Sequence, residues 1–320
     1  MWIVVTGGAG YIGSELVNKL IKLKKKVIVI DNLIRGKFKH LRTFIGNPQM
    51  KFISCDVTDK KALFSHMDSM EINSIIHLAA IPGLERCQKQ PQRAILTNVL
   101  GTYNLLELCQ HHNVKRIIFG SSGAVYGNPK AFPISEDSIL KPTNLYGVTK
   151  VTCERLVSAY YLNHGLESII LRFSNIYGVG QFTYYENVIP KFVKQAYNRD
   201  NITIFGDGAQ SRDFIHIDDV TRAIILLLQD SRASGCKVFN VGSGKPTSIN
   251  TIASLICHMM KNRFEVDISC EYMPVRKGES YDPNYCYSVN KINQYLGFGT
   301  HWSINQGVEQ IINDIMLNTG

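Results

Sequence analysis

Seven residues near the start of the chain, Gly7-Gly8-Ala9-Gly10-Tyr11-Ile12-Gly13, follow the apolar, strand-like run Trp2-Ile3-Val4-Val5 and open a segment of helical period. Glycines at this spacing let a turn tighten and let backbone N–H groups approach a pyrophosphate at a helix N-terminus. A glycine-rich turn alone is common. Its weight here comes from Asp31, which closes the next apolar run, Lys26-Val27-Ile28-Val29-Ile30. A carboxylate at that strand end accepts hydrogen bonds from ribose hydroxyls and repels a 2′-phosphate, so the expected cofactor is NAD rather than NADP. Gly7, Gly10, Tyr11, Ile12 and Gly13 are expected to face the dinucleotide together with Asp31 and Asn32, and Asp56-Val57 at the end of the third strand to face its adenine.

The rest of the first half repeats the same alternation. Strands are expected at 2–6, 26–31, 51–56, 74–79, 115–121 and 167–173, with helix-period segments between them. Such βα alternation predicts a Rossmann-type α/β fold, a doubly wound parallel sheet covered by helices on both faces. After about Asn175 loops lengthen, and glycines and aromatics multiply, as in Tyr177-Gly178-Val179-Gly180-Gln181-Phe182. The expected division is a cofactor-binding domain over 1–174 and a smaller, discontinuous mixed α/β lobe over 175–320. Segments near 214–220 and 237–243 are apolar enough to return to the main sheet.

Other function classes find little support. The formal net charge is +9, but the densest basic cluster, Lys22 and Lys24–Lys26, closes a predicted helix, where cations suit the dipole. No basic-aromatic stripe accompanies the charge, so no nucleic-acid partner is expected. No stretch reaches the length of a membrane span, and no cleavable leader precedes the first strand, which predicts a cytoplasmic protein without membrane contact. The eight cysteines form no CxxC pair, so no metal site is expected. Several, such as Cys55 and Cys109, sit in apolar runs, in keeping with a reducing compartment.

Chemistry concentrates at Tyr146-Gly147-Val148-Thr149-Lys150, where Tyr146 and Lys150 share one face of a helix. A nearby ammonium and a positive nicotinamide ring would both favour the phenolate, making it a base near neutral pH. Upstream, Ser121-Ser122-Gly123-Ala124-Val125-Tyr126-Gly127 ends a strand at the carboxyl edge of the sheet, where open α/β sheets bind ligands. The Ser122 hydroxyl there can hydrogen-bond a reacting sugar oxygen.

These motifs resemble those of the extended short-chain dehydrogenases/reductases, and specifically of the nucleotide-sugar 4-epimerases typified by UDP-glucose 4-epimerase. The resemblance runs nearly end to end through Thr6–Gly13, Asp31-Asn32, His77-Leu78-Ala79-Ala80 and Asn98-Val99-x-Gly101-Thr102. It continues through Ser121–Gly127, Tyr146/Lys150, Arg172–Gly178, Gly206–His216 and Arg276-x-Gly278-Glu279. It implies that Ser122, Tyr146 and Lys150 are the catalytic set. It further implies that Leu78, Ala79, Ala80, Asn98 and Ser121, with Tyr146 and Lys150, line the NAD site. By the same resemblance Ser122 and Tyr146 touch the sugar, Asn175 lies on the diphosphate of a nucleotide-sugar, and Arg212 and Arg276 grip it; guanidinium forks suit phosphate oxygens.

Relatives that dehydrate sugars carry an Asp-Glu pair just after the catalytic hydroxyl, and relatives that decarboxylate glucuronate place a Glu there. Here Gly123 and Ala124 follow, which disfavours elimination. The expected reaction is transient oxidation of a UDP-hexose at C4, with hydride return to the opposite face. An NAD-dependent 4-ketoreductase or dehydrogenase is the alternative, ahead of a 4,6-dehydratase or a non-catalytic dinucleotide sensor. Two departures stand out: Ile81-Pro82-Gly83-Leu84-Glu85-Arg86 reshapes a loop beside the sugar, and an insertion lies between Arg276 and Lys291. The residue gating an N-acetyl group is expected at Tyr285 or Cys286. The resemblance also implies a homodimer built on the Tyr146 helix and the long helix near 92–112, with Leu105, Leu106, Leu156 and Val157 as candidate apolar contacts.

Overall fold

The computed structural model describes residues 1–179, 187–232, 234–275 and 282–318. The first half alternates as the sequence predicts: β1 (Trp2–Thr6), α1 (Tyr11–Lys22), β2 (Val27–Asp31), β3 (Met50–Ser54), α2 (Lys60–Met67) and β4 (Ile72–His77). Three helices follow, α3 (Leu84–Lys89), α4 (Pro91–Ile95) and α5 (Gly101–His111), then β5 (Arg116–Ser122), α6 (Leu145–His164) and β6 (Glu167–Phe173). Beyond lie β7 (Asn175–Tyr177), α7 (Val188–Tyr197), β8 (Ile202–Phe205), β9 (Ser211–His216), α8 (Ile217–Gln229), β10 (Cys236–Val241) and β11 (Pro246–Ser248). The chain ends with α9 (Ile249–Phe264), β12 (Cys270–Met273), α10 (Asn290–Leu296) and α11 (Ile304–Asn318).

The main sheet has seven strands in the order β10-β6-β5-β4-β1-β2-β3. Neighbours from β6 to β3 run parallel. The order reverses beside β1, which brings the carboxyl ends of β1 and β4 together at the switch point where such sheets hold ligands. This is a Rossmann-type α/β fold. Its inner strands are buried on both faces, and β2 carries no exposed position from Val27 to Asp31. One core cluster joins Val4, Ile28, Ile75, Ile117 and Ile170 of the strands to Leu63, Leu105, Cys109 and Cys153 of the helices.

The chain divides into two compact units, one comprising 1–128, 138–173 and 221–239, the other 129–137, 174–220 and 240–320. The second has its own core, in which Ile189, Phe192, Ile204, Phe214, Ile252, Ile256 and Ile311 pack together. It contains a three-stranded sheet, β11-β9-β7, and a pair, β12-β8. The segment near 237–243 enters the main sheet as β10, whereas the one near 214–220 does not. Its strand, β9, pairs parallel with β7 and antiparallel with β11. An apolar run reports that a strand will be buried, but carries no information on which sheet buries it.

One further expectation needs correction. Leu105, Leu106 and Val157 are fully buried in the core of the first unit, with Leu156 packed against it, so they offer no surface to a second subunit. The long helix expected near 92–112 is present and runs without a break from Pro91 to His111, with one π turn, Leu96–Leu100, between α4 and α5. Among the described residues, no helix is long and apolar enough to cross a membrane.

Candidate active site

The glycine-rich loop is shaped chiefly by its backbone. Gly7 takes a left-handed φ of 68°, and its N–H returns to Ile30 O at 2.8 Å. A Cβ on Gly13 would lie 2.2 Å from Gly7 O, so the third glycine is required for helix and turn to touch. Gly10 N-caps α1 and brings no side-chain acceptor to the first-turn amides. Such amides are the donor set a pyrophosphate needs.

Asp31 sits beside this loop, buried at the end of β2. Its Oδ2 accepts from Ala9 N at 3.0 Å and its Oδ1 from Leu33 N at 2.8 Å. Burial raises its pKa, and the two backbone donors pull against that rise. A Cβ on Gly36 would come within 2.8 Å of both carboxylate oxygens. Asn32 donates to Asp56 Oδ2 at 2.7 Å, and Thr58 donates twice to Asp56 Oδ1. Burial alone would raise Asp56, but these bonds and Arg93 overcome it and hold its carboxyl below the usual range. Val57 presses on Gly101, where an added Cβ would meet it at 2.6 Å.

Leu78, Ala79 and Ala80 follow β4, and Leu78 N bonds back to Thr6 O at 3.1 Å. A buried chain of hydrogen bonds leads from here to the tyrosine helix. Ala79 N donates to Thr6 Oγ1, and Thr6 Oγ1 lies 2.7 Å from His77 Nδ1. His77 Nε2 lies 3.0 Å from Thr102 Oγ1, which donates its own proton to Asn98 O at 2.5 Å. Nε2 is therefore the protonated nitrogen and Nδ1 accepts from Thr6. Asn98 Nδ2 continues to Thr149 Oγ1 at 3.0 Å, and Thr149 to Tyr146 O at 2.8 Å. Burial pushes His77 down to about 3, and Lys150 adds to the shift.

The sequence candidates Ser122, Tyr146 and Lys150 do come together. Asn144 caps α6 by accepting from Gly147 N at 2.9 Å. Gly147 lets α6 press on the short turn after Ser122, since a Cβ would lie 2.5 Å from Ala124 O. Lys150 Nζ donates to Gly120 O at 2.6 Å, 4.7 Å from the Phe119 ring centre and 5.9 Å from that of Tyr146. Burial raises the Tyr146 phenol well above its ordinary value, opposed by a hydrogen bond with Ser122 and reinforced by Cys87 and Cys153. Burial likewise lowers Lys150, opposed by Cys153, Glu154 and Cys87. The hydroxyl of Ser121, a residue expected at the cofactor, donates to Glu154 Oε1 at 2.5 Å. Glu154 escaped the sequence reading, although its spacing of one helical turn beyond Lys150 was there to be seen.

In the second unit, Asn175 Nδ2 donates to Asp213 O at 3.2 Å, and Arg212 Nη1 to Ser211 O at 2.8 Å. The Arg212 guanidinium lies 5.6 Å from the Tyr285 ring centre. Tyr285 and Cys286 are both buried, and the Tyr285 and Tyr287 hydroxyls are 3.2 Å apart. A hub that sequence reasoning missed organises this wall. The fully buried Asp213 carboxylate accepts from Ser243 N, Ser243 Oγ, Gly244 N and Tyr287 N at 2.7–3.2 Å. Arg276, Gly278 and Glu279 lie outside the described residues. Where no metal site was expected, one trio of donor side chains, Asp68, His111 and His112, has ligand atoms within 4.8 Å of one another among the described residues.

Comparison with known proteins gives this geometry a family. The UDP-glucose 4-epimerase of Halalkalibacterium halodurans is 34% identical over 87% of this chain and 85% of its own. The UDP-N-acetyl-alpha-D-glucosaminuronate decarboxylase of Bacillus cytotoxicus is 30% identical over 97% of this chain and 96% of its own. The crystal structure of a Thermotoga maritima UDP-glucose 4-epimerase with UDP-glucose superimposes with a TM-score of 0.90 at 32% identity, covering both chains completely. The sequence profile of one family matches residues 3–242. The chain belongs to the NAD dependent epimerase/dehydratase family, and its cofactor is NAD.

Proposed function

We propose that the protein is an NAD-dependent nucleotide-sugar 4-epimerase of the UDP-glucose/UDP-galactose type. The observation that carries this reading is the pairing of Ser122 with the Tyr146/Lys150 helix while Gly123 and Ala124 follow Ser122. Removing water across C5–C6 needs an added acid and base, and this turn supplies neither. Its backbone is already closed against Gly147. The 4-epimerase relatives described above favour the same choice, while the decarboxylase shows that family membership alone does not make it.

The residues fit NAD. Gly7, Gly10, Tyr11, Ile12 and Gly13 would hold the pyrophosphate, Asp31 and Asn32 the adenosine ribose, and Asp56 and Val57 the adenine. Leu78–Ala80, Asn98, Ser121, Tyr146 and Lys150 would line the remainder. Bound there, NAD supplies the acceptor and donor of one hydride. Tyr146 removes the proton of the sugar C4 hydroxyl as the C4 hydrogen leaves, and returns it after the 4-keto sugar has presented its other face. Ser122 holds the reacting oxygen, and Lys150 keeps positive charge beside the phenol. Asn175, Arg212 and Arg276 hold the diphosphate while the sugar turns. Tyr285 or Cys286 gates the sugar pocket, and a tyrosine in that place narrows it and favours hexoses without an N-acetyl group.

The active form is a homodimer. Ile95, Leu96, Leu100 and Tyr103 on the α4–α5 run and Val148 on α6 are all exposed, which is the surface this pairing needs in place of the buried leucines.

The test incubates the protein with UDP-hexoses, UDP-N-acetylhexosamines and UDP-uronic acids, reading products by NMR and the nicotinamide band by absorbance. Interconversion of C4 epimers without net cofactor reduction supports the proposal. Net accumulation of oxidised or reduced cofactor means a dehydrogenase or ketoreductase, and a 4-keto-6-deoxy product means a dehydratase.

A further inference from the structure

Helix α6 meets the end of β5 along three successive turns. Tyr146 faces Ser122, Lys150 Nζ binds Gly120 O at 2.6 Å, and Glu154 Oε1 accepts from Ser121 Oγ at 2.5 Å. The third contact is part of a buried ion pair. Arg172 of β6 reaches Glu154 through Nε at 3.0 Å and Nη2 at 2.8 Å, with both side chains 5% exposed. The other arm of Arg172 donates to the Tyr126 hydroxyl at 3.0 Å, across the turn that follows Ser122.

A buried carboxylate–guanidinium pair is weak evidence for stability, because desolvation consumes most of the attraction and an apolar pair of equal volume often serves as well. Its surroundings give this one another use. The groups that face Lys150 are His77 from β4, Cys87 from α3, and Tyr146, Cys153 and Glu154 from α6, with the Phe119 ring beneath. His77 is held neutral and the Cys87 and Cys153 thiols are raised by burial. Among the described residues, Glu154 is the carboxylate of this set.

We propose that Glu154, braced by Arg172, is a positioning residue for the reaction: it keeps the buried Lys150 charged and fixes the β5 end from which Ser122 meets Tyr146. Resting on the reading of Tyr146 and Lys150 given above, it assigns the pair a task that a packing role does not include. Glu154→Gln keeps shape and the serine bond but removes the charge, whereas Glu154→Asp keeps the charge.

The experiment follows the Lys150 side-chain nitrogen by NMR in 15N-lysine-labelled, NAD-loaded protein, assigned by its loss in Lys150→Met. In Glu154→Gln the Lys150 titration midpoint falls by about one pH unit or more, and in Glu154→Asp it stays within a few tenths of wild type. The alkaline limb of turnover moves down with that midpoint. Should Glu154→Gln not fold, Glu154→Gln/Arg172→Met, which also removes the opposing guanidinium charge, is predicted to lower the midpoint by a smaller amount that still separates it from Glu154→Asp. A midpoint unchanged in the glutamine variant, whatever its Tm, overturns the proposal and leaves the pair structural. A midpoint that moves in a protein that turns over no sugar keeps the pair and refutes the epimerase reading instead.

Discussion

Lys150 donates its short hydrogen bond to the Gly120 carbonyl, not to Tyr146, whose ring centre lies 5.9 Å from the ammonium. The lysine is thus anchored to the strand, with the phenol ring beside it. Burial raises Tyr146, with Cys87 and Cys153 adding to the rise, so forming a phenolate near neutral pH calls for positive charge beside it. On the proposed reading, Lys150 and the oxidised nicotinamide supply that charge together.

Tyr146→Phe is accordingly predicted to lower turnover by roughly 10²–10⁴-fold while NAD remains bound. In the wild type, activity rises with pH on the acid side, since only the ionised phenol accepts the C4 hydroxyl proton. Cofactor content after gel filtration, set beside initial rates, checks both points. Loss of NAD with the phenylalanine would show the tyrosine to be structural.

Gly13→Ala is predicted to abolish cofactor retention, because the added methyl would lie 2.2 Å from Gly7 O and neither partner is a flexible side chain. Gly36→Ala acts more mildly. Its methyl meets the Asp31 carboxylate at 2.8 Å, so NAD affinity falls while the phosphate loop survives. Titration calorimetry with NAD separates the two, and equal losses would contradict this division.

His77 gives a stability prediction with a definite sign. Its folded pKa is about 3 against an ordinary 6.5, so below pH 6.5 the unfolded chain takes up a proton that the folded chain refuses. Stability is therefore lost as pH falls from 6.5 towards 3, at up to about 1.4 kcal/mol per pH unit. His77→Gln removes this component, and its Tm should fall less steeply over that window. Parallel Tm curves for the two proteins would rule it out.

Much of this was legible in the sequence, and what was missed shares one cause. The parallel sheet, the phosphate loop and the Tyr146/Lys150 face are local patterns: strand period, glycine spacing and an i,i+4 pair fix them within a few residues. The sheet joined by β9, the Asp213 hub and the Glu154–Arg172 pair depend on partners far along the chain, such as Tyr287 for Asp213. The same gap explains Leu105 and Val157. Helical period marks them as apolar without saying whether their own core or a second subunit covers them, and the structure puts them in the core.

The exposed apolar residues replace them in a further prediction. Val148→Arg, at a position 46% exposed on α6, places a charge in the proposed dimer contact without disturbing the monomer core. Light scattering should show the wild type as a dimer and the variant shifted to monomer, with NAD still bound. A monomeric wild type would refute the assignment.

The most direct test of the whole account uses UDP-hexose carrying deuterium at C4. If one hydrogen leaves C4 and returns to the same carbon from the other face, the epimeric product keeps its deuterium at C4 in ordinary water, and Tyr146→Phe forms it roughly 10²–10⁴-fold more slowly. Washout of deuterium to solvent, or its appearance at another carbon, would contradict the account.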